Sequence, residues 1–292
     1  MPKIKMPIVI TALAAAVLAL SACGSSSSSS SSTAGTAAAA STAAACTKSS
    51  LTLHSPGKLT VATDSPAYPP YFIDNKPANG EGFESAVAYA IASRLGFGAH
   101  EVSWTVEPFD SSYAPGPKSF DFDINEISIT PARAKVVSFS VPYYTDPQGI
   151  IVQANSKYAS AKSLSELQSA KIGVQIGTTS LTAVEQEIKP TTQTQVFNNS
   201  NDVVSAFKNH TVDAIVVDLA TAFELTGETI SSGKIVGQFS APGGNTWGVL
   251  MAKGSSLQPC VNAALAALHA NGQLAKIESR WMKSTTNVPE LH

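Results

Sequence analysis

At 292 residues the chain is long enough for about two domains, and 43% hydrophobic residues are enough to fill real cores, which excludes a wholly disordered protein. Charged residues make up only 14%, and 19 basic against 21 acidic side chains leave a net charge of −2, so there is no electrostatic footprint for nucleic acid. Three cysteines are too few for a disulfide-dense miniprotein, and none stands in a CxxC pair or beside histidines at zinc-ligand spacing, so neither a metal nor a cofactor is expected.

Lys3 and Lys5 precede an apolar run at 8 to 20, short of the roughly 20 residues that span a bilayer as a helix and typical of a signal-peptide core. The run ends in Leu20, Ser21, Ala22 and Cys23, which resembles a bacterial lipobox. Residues 1–22 are then a cleaved leader, and Cys23 carries a lipid that anchors the protein to the outer face of the cytoplasmic membrane. An ordinary secretory signal with a chance cysteine is the alternative. Residues 23–50, nearly all Ser, Ala, Thr and Gly, cannot bury enough apolar surface to order themselves and read as a flexible tether. Once Cys23 is lipidated, Cys46 and Cys260 are the only thiols left, and outside the cytoplasm they are expected to pair. In the chain-entropy model that closure is worth on the order of 4 to 5 kcal/mol. Two unpaired buried thiols are the alternative.

Residues 58–63 read as a buried strand running into a turn rich in proline. Gly80 and Gly82 precede a helix with Val87, Ala90, Ile91 and Leu95 at three- and four-residue steps, stopped by Gly96. Strands are expected at 102–106, within the alternating stretch 120–129, and at 136–139. A second series gives a strand at 171–176, a helix near 180–188 and a strand at 194–197. A helix opened by Asn201 and Asp202 follows, then a strongly apolar strand at 213–217. Each series is strand, helix, strand, which implies α/β lobes with mostly parallel sheets flanked by helices. The tail from 259 to 282 reads as two helices with Gly272 between them. Segments 144–149 and 241–246 carry Pro and Gly. If the chain crosses between lobes at both, the first lobe comprises residues 51–146 and 245–292 and the second 147–244, joined by two hinge strands around a cleft. One continuous sheet is the alternative.

Four motifs carry a resemblance: TDSPAYPPYF at 63–72 followed by GFESAVAYAIA at 82–92; FDFDINEISITPARAKVVSFSVPYY at 120–144; KIGVQIGTTS at 171–180; and VDAIVVD at 212–218. Over about 57–285 the chain resembles the family 3 extracellular solute-binding proteins of amino-acid ABC importers, with the periplasmic-binding-protein type 2 fold. The resemblance implies a protein that captures a free amino acid by hinge closure and hands it to a membrane permease, working as a monomer.

A buried zwitterion needs fixed charges of both signs, because each unpaired ion costs several kcal/mol. Arg133, one of three arginines, offers a planar fork for a carboxylate and matches the family arginine that holds the ligand acid. Thr178 and Thr179 lie where a strand hands over to a helix and are expected to add N–H groups and hydroxyls to the same carboxylate. Asp218 ends an apolar strand; by resemblance it takes the ammonium, with helix capping as the alternative. Ser128 and Gln175 match further ligand-side positions. Tyr68 and Phe109 match aromatic walls, though by themselves they read as core; Tyr71 and Phe72 read as core or rim. Glu126, with Asn125 beside it, departs from the usual small or neutral residue. With Asp64 it points to a basic ligand first and glutamine next, unless Glu126 turns away to pair with Lys135 or Arg133.

The chain has no GxSxG, phosphate loop or HExxH, and its five histidines are scattered. It is therefore expected not to be an enzyme. A cyclohexadienyl dehydratase-like activity on the same fold, with Glu126 as the acid, is the runner-up. A ligand-sensing ectodomain is third.

Overall fold

A computed structural model of the protein describes residues 46–282 and 287–292. The expected leader, the expected lipid site Cys23 and most of the expected tether lie outside the described residues. No helix among the described residues is long and apolar enough to cross a membrane.

The chain first lays down β1 (Leu59–Thr63), α1 (Phe83–Arg94), β2 (Val102–Val106), α2 (Phe109–Ser112), β3 (Phe122–Asp123), α3 (Pro131–Ala134) and β4 (Val137–Phe139). Every residue of β1 is buried, as a strand covered on both faces must be. It pairs in parallel with β2 (Leu59 opposite Val102) and with β3 (Val61 opposite Phe122). β5 (Tyr144–Thr145) leads across to β6 (Gln148–Gln153) and then to β7 (Ile172–Gln175), α4 (Thr179–Ala183), β8 (Gln195–Phe197) and α5 (Ser200–Lys208). β9 (Ala214–Asp218), α6 (Leu219–Glu224) and β10 (Gly233–Phe239) complete this series. The chain returns through β11 (Thr246–Trp247) to β12 (Leu250–Ala252), α7 (Gln258–Ala270) and α8 (Gln273–Trp281).

The result is two five-stranded sheets, β2-β1-β3-β12-β4 and β10-β6-β9-β7-β8. Between them β5 pairs antiparallel with β11, Trp247 opposite Tyr144, so the two crossings run side by side as a hinge ribbon. Each sheet is mostly parallel, with one strand running against the other four. In the first, β12 is antiparallel to both β3 and β4; in the second, β6 is antiparallel to both β9 and β10. The return strands enter from the hinge, and so run opposite to strands that arrive through helical crossovers. Of the stretch 120–129, only Phe122–Asp123 is strand; beyond it the backbone turns at Glu126, whose φ is 47°.

The chain ends depart from the expected division in two places. Residues 46–50 are folded rather than tether: Cys46 is disulfide-bonded to Cys260 in α7, with 5.3 Å between Cα atoms, and Lys48–Ser50 form a short 3-10 turn. At the other end, the last residues do not stay with the first lobe. Glu290 bridges Gln238 in β10, and Leu291 is buried in the second lobe's core. Gly237 leaves the room for it, since a Cβ there would stand 2.3 Å from the Leu291 side chain. An apolar leucine next to an uncovered strand edge buries more surface on the second lobe than it would at the end of α8.

Candidate functional site

The ends of the strands that face the hinge ribbon converge on a cavity of about 70 Å³ between the lobes. With roughly 10–15 Å³ per water-sized group, it takes one small molecule and excludes a polymer. The first lobe lines it with Asp64, Pro66, Tyr68, Phe109, Asn125, Glu126 and Ser128. The second contributes Gln175, Thr178, Thr179, Ser180, Ser200, Val203, Val216, Val217, Asp218 and Thr221.

The lobes touch around this cavity. The Ser128 and Thr179 hydroxyls are 3.2 Å apart, and Tyr71 Oη lies 2.8 Å from Thr221 Oγ1. Arg133 is the main tie. Its Nη1 donates to Ser128 O and its Nη2 to Gly177 O, both at 2.9 Å, and the guanidinium lies 4.4 Å from the Tyr113 ring centre. Tyr113 Oη donates to the same Gly177 carbonyl at 3.0 Å. Gly177 has φ 74°, and a Cβ there would stand 2.3 Å from the Tyr113 hydroxyl, so both backbone and space call for glycine. Arg133 therefore backs the cavity and also ties the lobes together. It is 8% exposed and stands behind the cavity wall, with two of its five N–H groups committed to backbone carbonyls, one on each lobe.

The second-lobe wall is internally bonded. Asp218 ends β9 and occupies the N-cap position of α6 without capping it through its side chain. Instead its carboxylate accepts from Gln148 Nε2 at 2.7 Å, and Gln148 Oε1 in turn accepts from the Ser180 hydroxyl. Burial pushes the Asp218 carboxyl up to about 7, against the pull of the Gln148 donor and the Arg133 charge. The Thr178 hydroxyl accepts from Leu181 N and donates to Gln175 O, so it caps α4 rather than facing an anion, contrary to expectation. Gln175 Oε1 accepts from Ser200 Oγ at 2.8 Å.

The first-lobe wall is the opposite. Asn125 Nδ2 is buried with no acceptor among the described residues. Glu126 is half-buried with a left-handed backbone, a conformation uncommon for a side chain with a Cβ. It forms no ion pair with Lys135 or Arg133; the ion pairs among the described residues are Lys48–Glu101 and Lys76–Asp74. Its N–H donates at 2.7 Å to Glu84 Oε1, which also accepts from the Tyr143 hydroxyl. Burial raises Glu84 to about 6 and holds Glu126 well above the carboxylate range, with the Glu84, Asp218 and Asp64 charges adding to the rise in Glu126. Asp64 is also raised by burial. Burial pushes the Tyr68 hydroxyl up to about 12.

Ten of the residues singled out from sequence therefore share one cavity, and Arg133 backs it. Sequence reasoning passed over Glu84, Tyr143 and Gln148, which hold the wall groups in place, and over Ser180, Ser200 and Thr221. Thr221 lies one helical turn beyond Asp218, a spacing visible in the sequence. Glu84 gave no such signal, because its partner is 42 residues away.

With this geometry, comparison with known proteins is informative. The chain is 28% identical over 224 residues to the ABC transporter arginine-binding protein 1 of Escherichia coli (strain K12), covering 74% of this chain and 88% of that protein. It is 27% identical over 229 residues to the L-cystine-binding protein TcyJ of the same strain, covering 77% and 82%. A solved structure of an ancestral arginine-binding protein bound to arginine superposes with a TM-score of 0.68 at 33% identity, covering 78% of this chain and 99% of that one. Residues 59–284 match the model of the bacterial extracellular solute-binding proteins, family 3, and the chain belongs to that family.

Proposed function

We propose that the protein is the substrate-binding component of an amino-acid ABC importer, capturing one polar amino acid between its lobes and delivering it to a membrane permease. A basic amino acid is favoured and glutamine comes next. The observation that carries this reading is the charge pattern of the cavity: Asp64, Glu126 and Asp218 line it, with a single guanidinium, Arg133, at its back. Asp218 suits an α-ammonium, and the uncommitted N–H groups of Arg133 with Thr179 and Ser128 suit an α-carboxylate. Asp64, Asn125 and Glu126 are left for the side chain, where two carboxyls favour a cation. The relatives named above support the amino-acid class through what their own names say they bind.

The N-terminal sequence supports a lipoprotein anchored by Cys23 on the outer face of the cytoplasmic membrane, acting as a monomer. In this reading the ligand is bound and released unchanged. Conversion is the competing reading, since burial raises the Glu126 carboxyl at the cavity wall, the direction a general acid needs. A thermal-shift screen of the twenty amino acids, ornithine and prephenate, followed by mass spectrometry of the recovered compound, tests both. Stabilisation by basic amino acids with unchanged ligand is expected. No stabilisation by any amino acid overturns the binding reading, and a converted product overturns the transport reading.

A further inference from the structure

The amino-acid reading leaves one contact unused. Glu84 is fully buried; its Oε1 has two donors, but its Oε2 meets no N–H or hydroxyl among the described residues. Glu126, whose N–H is bonded to Oε1 at 2.7 Å, also brings its carboxyl into interaction with the Glu84 carboxyl. That interaction lowers Glu84 and raises Glu126, the directions consistent with a proton held between them. Two adjacent carboxylates in a buried site strongly disfavour double ionisation without a counter-ion, and a shared proton both satisfies the orphan oxygen and leaves the pair a single negative charge.

The surrounding groups make no alternative counter-ion. From the loop after β1 comes Asp64, and from β9 of the facing lobe Asp218, both of which disfavour ionisation of Glu126. Tyr143 donates to Glu84, and the Tyr68 and Tyr71 hydroxyls lie within the field of Glu126. Arg133 acts on Asp218, and Lys118 on the buried Asp123 beside Glu84. The half-buried Glu126 is the member of the pair that lines the cavity, so anything bound there meets the proton first.

We propose that Glu84 and Glu126 share one proton, and that a cationic ligand side chain displaces it, so that the pocket exchanges a proton for its substrate's charge. The proton leaves to solvent, the pair passes from one negative charge to two, and the incoming guanidinium or ammonium restores the balance, so the buried site keeps its net charge. A neutral ligand leaves the proton where it is. This rests on the amino-acid reading above and adds to it a rule for selectivity: the site binds cations more tightly as pH rises, and neutral analogues without that dependence on the pair.

Arginine and citrulline, a neutral isostere of its side chain, separate this effect from Asp218, because both carry the α-ammonium that Asp218 would meet. Calorimetry near neutral pH in buffers of different ionisation enthalpy should show arginine releasing about one proton more than citrulline. Equal release by the two ligands overturns the proposal. Glu126→Gln places an amide donor against Glu84 Oε2 and imitates the protonated state. It should abolish the difference in proton release and weaken arginine by about tenfold or more relative to citrulline. Equal losses for both ligands count against it.

Infrared spectroscopy of wild-type protein with isotopically labelled glutamate carboxyls reads the proton without any ligand and distinguishes it from Asp218. A protonated glutamate at neutral pH that arginine removes and citrulline spares is the expected result. A fully ionised pair overturns the proposal even if arginine binds. If neither compound binds, the basic-ligand reading falls, and the infrared band still decides whether the pair holds a proton.

Discussion

The two walls of the cavity are built on different principles. On the second lobe, Asp218, Gln148 and Ser180 form a chain of hydrogen bonds, Gln175 is held by Ser200, and Thr178 caps its own helix. On the first lobe, Asn125 Nδ2 and Glu84 Oε2 are buried without a hydrogen-bond partner among the described residues, and Glu126 sits on a left-handed backbone. Buried polar groups are normally satisfied, and groups left unsatisfied concentrate where something else will satisfy them. The satisfied wall suits the part that all amino acids share, and the unsatisfied wall suits the part in which they differ.

The strongest test of that division lies at the groups joining the walls. Arg133→Ala removes the bonds to Ser128 and Gly177 and leaves a ligand carboxylate without its cation, so affinity for every amino acid should fall by about 3–5 kcal/mol by calorimetry. A loss confined to one ligand class would put Arg133 on the selective side and break the comparison. Asp218→Asn should also act on all ligands, by about 2–4 kcal/mol, because it removes the charge facing the ammonium while keeping the bond to Gln148 possible.

An effect of intermediate size concerns pH. Glu84 and Asp218 have folded-state values of about 6 and about 7, both above those of the unfolded chain. The folded state therefore binds the more protons, and the stability these groups contribute is fully present below about pH 4 and lost as pH rises through 6 to 7. Acid effects elsewhere in the molecule overlie this, so the difference between wild type and Asp218→Asn is the quantity to measure. The melting temperature of the ligand-free wild type should fall relative to the variant as pH goes from about 5 to 8. A wild type that gains on the variant over that range would mean that Asp218 is ionised and stabilised in the folded protein.

How much of this was legible in advance follows from the range of each interaction. Apolar runs such as 59–63 and 214–218 announce strands because burial on both faces needs no partner to be specified. β6 and β10 were missed because Gly149 and Gly237 interrupt their apolar patterns, and each glycine makes room for a neighbour, Leu219 and Ala222 in one case and Leu291 in the other. Among the site residues, those at strand ends could be found by position along the chain. The role of Arg133 as a tie between lobes, and of Glu84 as the acceptor for Glu126, exists only once distant segments meet, and no local pattern encodes it. The alternation at 120–129 misled for a related reason: the turn at Glu126 is held by Glu84, not by its own sequence.

The smallest predicted effects carry the sharpest contrast, because they have opposite signs. Thr178→Ala removes the hydroxyl that accepts from Leu181 N at 3.2 Å, and should destabilise the ligand-free protein by about 1 kcal/mol in urea denaturation. Asn125→Ala removes a buried donor that has no acceptor, whose desolvation is worth about 1–3 kcal/mol, against a similar loss of packing, so stability should stay level or rise. For ligand binding the order reverses. Thr178→Ala should leave the ranking of amino acids unchanged, since its hydroxyl is already used within the lobe, while Asn125→Ala should alter it. If both variants destabilise the free protein alike and neither changes the ranking, Asn125 is an ordinary packed residue and the first-lobe wall is no more open to a partner than the second.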